Sequence, residues 1–315
     1  MKVIFLAEKD YANVGWAYMQ ALRSVGVDTQ GFKTASHRFK YPYEFNIITP
    51  DRQAYIQKIV DSSDIIQVMH SSLGKMNIKL DYKKKNIVVH HGGSNYREQP
   101  SNLNTYWNKI SRAAIIETPD LLHMGANNEY YIPAPVDTDM LMLTPDKFFD
   151  GNCPLRLAHY PTSAKMKGTD VIRKIIHDLK KKFDFEISIS EISVPWNEHM
   201  GRISKCDIYI DQLVPILKGK LCGEYGVSTR EAAALGKVVV STHMGVAEYN
   251  KVFGDTKVVV SNTPEKMKEN LIWLLSQSPE DIRRIQEETR NWIVSNHSFI
   301  ATGKRLKSIY EKILN

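Results

Sequence analysis

Short, continuous apolar runs rich in β-branched residues recur along the chain, separated by helix-period patterns. In the first half they are "KVIFLA" (2–7), "DIIQVMH" (64–70), "NIVVHH" (86–91), "AAIIET" (113–118) and "YYIP" (130–133). The series restarts with "LRLAHY" (155–160), "FEISIS" (185–190), "CDIYIDQ" (206–212), "KVVVST" (237–242) and "KVVVSN" (257–262). Apolar runs of this length suit strands buried on both faces, and the helical patterns between them suit crossover connections. The expectation is an α/β chain with two doubly wound, Rossmann-like domains.

Between the two series lies "PAPVDTDMLMLTPDKFFDGNCP" (133–154), rich in Pro and Asp and without periodicity, which reads as a connection. The expected division is an N-terminal domain over 1–143, a linker over 144–154, a C-terminal domain over 155–295, and a last helix over 296–315 that packs back on the N-terminal domain. A chain of 315 residues is long enough for two domains with cores of their own. A cleft would then open at the linker. After Pro264 the pattern is helical, and two Pro-Glu openings place Pro in a first turn, where its missing N–H costs nothing.

Composition narrows the class without naming it. A hydrophobic fraction of 43% and a charged fraction of 24% exclude a disordered or fibrous chain. The formal charge of +7 suits an anionic partner, whether nucleotide phosphate, nucleic acid or an acidic membrane surface, and suits plain solubility equally well. The lysine clusters "DYKKKN" (81–86) and "DLKKKFD" (178–184) read as solvated helix ends or loops. Three cysteines, Cys153, Cys206 and Cys222, match no zinc or redox spacing and form no even disulfide set, as expected of a reducing cytoplasm. The opening apolar stretch is too short for a signal peptide, and no run approaches a membrane span. The expectation is a soluble cytoplasmic protein, compatible with peripheral attachment at the inner membrane face. Its Asp and His residues show no metal-ligand spacing, so no metal is expected.

Ligands of such folds bind at the carboxyl ends of the strands, so the residues that follow each run are the candidates. After the first strand, Asn13, Val14 and Gly15 form a tight turn before an amphipathic helix whose N-terminus offers N–H groups to an anion. After the third, "HHGGSNYR" (90–97) gives two histidines, of which one can face a given side, then Ser94 and Arg97. At the start of the second half, "HYPTSAKMKGTDVIRKII" (159–176) puts Lys165 and Lys167 just before a helix. In "CGEYGVSTREAAALGKVVVSTHMGVAEY" (222–249), Gly223 and Gly226 precede a short helix and Gly236 ends it. Within it, Ser228 and Glu231 have the spacing of a capping box, which would give Glu231 a purely local role.

These segments, with "YYIPAPVDTDML" and "CDIYIDQL", resemble the large family of retaining, nucleotide-sugar-dependent GT-B glycosyltransferases with a Glu-x7-Glu signature, glycosyltransferase family 4-like, over nearly the whole chain. The resemblance implies a GT-B fold, two Rossmann-like domains facing across a cleft, and no cofactor beyond the nucleoside-diphosphate sugar used as donor. It makes Glu231 the carboxylate for the ribose hydroxyls, has Gly226 and Val227 present N–H groups to the diphosphate, and has Lys167 neutralise that diphosphate as it leaves. Aligned through "NIVV", the family's strand-end histidine is His91, expected to contact the transferred sugar, with Ser94 and Arg97 on the acceptor or sugar side and Gly15 on the donor side. Two departures stand out. Eight places before Glu231 lies Gly223, so the first signature glutamate is absent and Glu224, one place late, is expected to hold the sugar. The family's arginine ahead of the lysine is also missing, and Lys165 is expected to substitute as a point charge.

The expected function is transfer of a sugar, with retention, to a hydroxyl of a glycan, a lipid-linked glycan, a small metabolite or a modified nucleic-acid base, the last in keeping with DNA as a partner. Two rivals remain, a non-catalytic nucleotide-sugar-binding protein and a nucleotide-sugar isomerase on the same fold.

Overall fold

The computed structural model of the chain describes residues 1–141, 148–213 and 223–315, together with the backbone of 216–217 and 220–221. The expected linker therefore lies outside the described residues over 144–147, as does Cys222. The chain divides into two compact units, Met1–Pro135 with His297–Asn315, and Val136–Asn296.

The first unit is built on a parallel sheet of β1 (Lys2–Ala7), β2 (Asp28–Lys33), β3 (Asn46–Ile47), β4 (Ile65–Val68), β5 (Asn86–His91), β6 (Ser111–Ile116) and β7 (Glu129–Tyr131), in the order β3-β2-β1-β4-β5-β6-β7. Strands β1, β4 and β5 are the apolar runs read from sequence, and β1 pairs in register with β4 from Val3↔Ile65 to Leu6↔Val68. Crossovers run through α1 (Val14–Arg23), α2 (Gln53–Asp61), α3 (Gly93–Glu98) and α4 (Pro100–Ile110). One face of the sheet buries Ile4, Leu6, Val68, Val89 and Ile116 against Tyr96 and Trp107. The C-terminal helix, Phe299–Leu314, belongs to this unit and packs along α1.

Strands β2 and β3 were not expected. Their residues, "DTQGFK" and "NI", lack an apolar run, yet β2 pairs with β1 over its full length, from Lys2↔Asp28 to Ala7↔Lys33. Two features make a polar segment a central strand. Gly31 leaves room for the Phe45 ring to lie directly on the backbone. Lys33, wholly buried, places its ammonium 2.9 Å from Glu44.

The second unit carries β8 (Arg156–His159), β9 (Glu186–Ile189), β10 (Ile208–Ile210), β13 (Val238–Ser241) and β14 (Val259–Val260) as a parallel sheet, with a separate hairpin of β11 (Ile216–Leu217) and β12 (Lys220–Leu221). The sheet order is β14-β13-β10-β8-β9. Helices α5 (Ala164–Lys167), α6 (Thr169–Lys180), α7 (Trp196–Ile203), α8 (Val227–Ala234), α9 (Val246–Phe253), α10 (Pro264–Leu275) and α11 (Pro279–His297, all but its last residue) complete it. The core gathers Leu157, Ile208, Val238 and Val240 with Ile172 and Ile176 of α6 and Leu271 of α10. Asp207 locks β8 to β10, accepting from Arg156 Nε at 2.9 Å and Nη2 at 2.7 Å. Arg290 of α11 donates to Thr138 O at 2.7 Å and Leu141 O at 3.1 Å, fixing the start of the unit to its last helix. Among the described residues no helix is long and apolar enough to cross a membrane.

In both sheets the crossovers leave in opposite directions from two adjacent strands, β1 and β4 in the first and β8 and β10 in the second. Such switch points, at the carboxyl ends of the strands, are where doubly wound sheets take their ligands.

Candidate functional site

At the switch point of the second unit stands a residue the sequence did not single out, Asp211, directly after β10. Its side chain is 1% exposed and forms an ion pair with Lys167, whose Nζ lies 2.8 Å from Oδ1. Oδ2 accepts from Gly226 N at 3.2 Å and Thr229 Oγ1 at 2.9 Å, and Ser228 Oγ donates to Oδ1 at 3.2 Å. Burial pushes this carboxyl up, but the Lys167 ammonium and the N–H and O–H donors outweigh it, so it is held below the ordinary carboxylate value. Lys167 is positioned by its backbone. Gly168, at φ +70°, closes α5 in the left-handed region and opens α6, and Lys167 O accepts Leu213 N at 3.0 Å. Its Nζ also donates to Gln212 Oε1 at 2.9 Å. A Cβ on Gly226 would lie 3.5 Å from Nζ, which puts the ammonium beside the N-terminus of α8.

Glu231, one turn along α8, is 7% exposed, and its Oε1 accepts Trp196 Nε1 at 2.6 Å. Burial raises its pKa to about 7, against the opposing pull of the Trp196 hydrogen bond and Arg230. The capping box is not formed. Gly226 is the N-cap, no side chain caps the helix, and Ser228 turns to Asp211 instead. Glu224 faces inward: Oε2 lies 2.6 Å from His243 Nδ1, and Oε1 accepts Gly245 N at 2.5 Å. The structure thus brings Lys167, Gly226, Val227 and Glu231 around Asp211. Glu224 lies in the same turn with its carboxylate tied to the strap after β13. Lys165 is exposed and makes no ion pair or hydrogen bond among the described residues.

In the first unit Gly15, expected on the donor side, has its N–H taken within the chain. Its N–H donates to Asp10 Oδ1 at 2.7 Å, and Trp16 N donates to Oδ2 at 2.9 Å, so a buried carboxylate of the chain itself already fills the anion position at the start of α1. The histidine pair is corrected. His91 lies on the face of β5 that packs on the core, stacked on Tyr96 with ring centroids 3.9 Å apart and its Nδ1 2.7 Å from Ser71 Oγ. Burial lowers its pKa to about 3. His90 takes the other side, where its Nδ1 accepts His70 N at 3.3 Å and its Nε2 lies 3.6 Å from Glu117 Oε2. The alternation along the strand held, and both rings are buried, His91 against Tyr96 and His90 against Tyr18 and His70. Arg97 is engaged with Asp120, its Nε donating to Oδ2 at 2.7 Å. Ser94 lines a cavity of about 600 Å³ with Glu8, Tyr11, His70 and Glu117.

Asp10, Asp211, His70 and Trp196 went unread in the sequence. Asp10 and Asp211 do carry a signal, an acid placed within a few residues of the end of a buried apolar strand. His70 and Trp196 carry none, since their roles depend on neighbours remote in the chain.

The chain superposes on an alpha-glucosyltransferase in complex with UDP-glucose and DNA containing an abasic site with a TM-score of 0.66 at 12% identity, over 98% of this chain and 99% of that one. The fold is GT-B. HepE of Anabaena, in complex with UDP and glucose, is similar with a TM-score of 0.65 at 11% identity over 99% of this chain and 100% of that one. A sucrose-phosphate synthase from Thermosynechococcus elongatus gives 0.61 at 12% identity over 99% of both. No protein-family model and no curated protein matches the chain.

Proposed function

We propose that the protein is a nucleotide-sugar-dependent glycosyltransferase that binds its donor in the second unit and transfers the sugar to a hydroxyl with retention of configuration. The observation that carries this reading is the Lys167–Asp211 pair at the N-terminus of α8, set at the switch point of a GT-B sheet. Structures similar to it along their whole length hold UDP, UDP-glucose or UDP with glucose.

In this reading the departing diphosphate gains negative charge as the sugar bond breaks, and the enzyme's task is to meet that charge. Lys167, 16% exposed and beside the helix N-terminus, is the cation for it. Gly226 N is already donating to Asp211, so the helix contribution passes to Val227 and the first turn. Glu231 accepts the ribose hydroxyls, with Trp196 fixing one of its oxygens. The Glu-x7-Glu signature is degenerate at Gly223, and Glu224 serves the sugar through the Gly245 strap that it ties down. A cytoplasmic location is part of this reading, in keeping with the unbridged Cys153 and Cys206.

A thermal-shift panel of nucleoside diphosphates and their sugars tests the reading. A ligand at a hundred times its dissociation constant raises stability by about 2.7 kcal/mol. No shift with any nucleotide overturns it. The inward-turned Glu224 carboxylate favours one alternative, a nucleotide-sugar-binding protein without turnover. Consumption of a bound donor excludes that alternative.

A further inference from the structure

We infer that a groove between α1 and the β2–β3 edge of the first sheet is a second binding site, and that it takes unpaired bases of a single-stranded nucleic acid. Such binding requires no sugar transfer and is independent of the reading above.

The groove encloses a cavity of about 420 Å³ and shares no lining residue with the cavity beside Ser94. On its wall Trp16 and Tyr43 lie nearly parallel, their ring planes 10° apart and their centroids 6.0 Å apart. Phe299 of the C-terminal helix braces Trp16 edge-on, also at 6.0 Å. Tyr43 is 60% exposed, so a further planar ring can be laid on the stack. Gln20 and Asn46 line the same groove, and their side chains make no hydrogen bond among the described residues. Each amide offers a donor and an acceptor side by side, the pattern that matches the edge of a base.

The stacking ring is held in place from below. Tyr43 O accepts Asn13 Nδ2 at 2.8 Å, Glu44 pairs with the buried Lys33 at 2.9 Å, and Phe45 lies on the bare backbone of Gly31. A ring presented this way needs little further ordering when a ligand arrives.

The segment that enters the groove adds charge of one sign. It reads "HRFKYPY" (37–43), with rings at 37, 39, 41 and 43 and cations at 38 and 40. His37, Phe39 and Tyr41 gather with centroids 4.8 to 6.5 Å apart, which leaves Arg38 and Lys40 turned to solvent. Arg23, exposed on the groove wall, is fixed by its Nη2 donating to Thr29 O at 2.7 Å. Glu44, the acid in the lining, is taken up by Lys33 and by the His37 N–H at 3.0 Å. Three exposed cations beside an aromatic stack suit a phosphodiester chain whose bases are free to stack. A neutral glycan would leave those charges unused, and a bilayer would strip water from the free amides.

The test titrates the full chain, without donor, into a fluorescein-labelled DNA strand of about 12 nucleotides, the RNA of the same sequence and the DNA duplex, reading anisotropy between about 50 and 200 mM salt. Phosphatidylglycerol vesicles and a neutral oligosaccharide are assayed in parallel. The expected result is binding of the DNA or RNA strand in preference to the duplex. Tyr43→Ala should weaken it roughly tenfold, the loss of one stacked base, while Tyr43→Phe keeps the parent affinity. Arg38→Ala combined with Lys40→Ala, at solvent-facing positions, tests the site without touching the ring and should lower the slope of log affinity against log salt by about 1.4, the loss of two phosphate contacts. Melting temperatures should match the parent chain. No binding of either strand, preference for the duplex, binding of the vesicles or the oligosaccharide alone, an unchanged affinity in a folded Tyr43→Ala chain, or an unchanged salt slope in the double variant overturns the proposal. Donor-induced thermal shifts, measured separately, decide the glycosyltransferase reading and are expected to be the same in all these variants.

Discussion

Each unit buries an aspartate against the N-terminus of a helix that follows a sheet strand, and the two do so to different ends. Asp10 gives both oxygens to helix N–H groups, Gly15 and Trp16, and meets His70 at 3.4 Å. Asp211 takes a single helix N–H, that of Gly226, and gives the rest of its capacity to hydroxyls and to the Lys167 ammonium. The first arrangement saturates the helix start and closes it to an outside anion. The second stores a cation there. The same residue type at the same topological place therefore separates a helix start filled by its own carboxylate from one that also holds an ammonium.

The largest effect expected from breaking this contrast is on stability. Asp211→Ala strands a largely buried ammonium and should cost about 3–5 kcal/mol. Asp10→Ala, which removes two N–H partners but leaves no charge unpaired, should cost about 2 kcal/mol. Urea unfolding of both variants decides, and equal losses would erase the distinction.

Glu231 comes next. Its folded pKa of about 7 stands above the ordinary 4.5, so between those values the native chain holds a proton that the unfolded chain has released. Stability should therefore fall as pH rises from about 4.5 to 7, by roughly 3 kcal/mol, and level off above. Glu231→Gln should flatten that slope, as unfolding at a series of pH values will show. Donor affinity should move the other way, increasing as the carboxylate ionises, and lose this dependence in the Gln variant.

The smallest effect separates the two lysines. Lys167→Ala should lower turnover about tenfold, close to 1.4 kcal/mol of barrier, with a smaller change in donor affinity. Lys165→Ala, without an ion pair in the structure, should change either by less than about twofold. Steady-state kinetics with donor titration measures both, and comparable losses would place Lys165 at the diphosphate as well.

Much of the fold was legible because buried parallel strands write themselves as apolar runs. β2 did not, since its burial comes from a glycine under Phe45 and from the Lys33–Glu44 pair, neither of which has a periodic signature. In the site, Lys167, Gly226 and Glu231 could be read because each belongs to a local strand–turn–helix motif. Asp211 shows in sequence only as an acid at a strand end, because its pairing depends on a lysine 44 residues away. Sequence also showed that His90 and His91 face opposite sides of β5, but not that both sides are packed: Tyr96 stacks on His91, while Tyr18 and His70 meet His90 edge-on.

The Lys167–Asp211 contact has a kinetic meaning as well. In the proposed reaction, a carboxylate 2.8 Å from the ammonium would be an internal competitor for the spent diphosphate. In that reaction Asp211 would recapture the lysine as the product loosens. On the proposed reading, a contact that weakens the hold on the first ligand to arrive would also shorten the residence of the last one to leave.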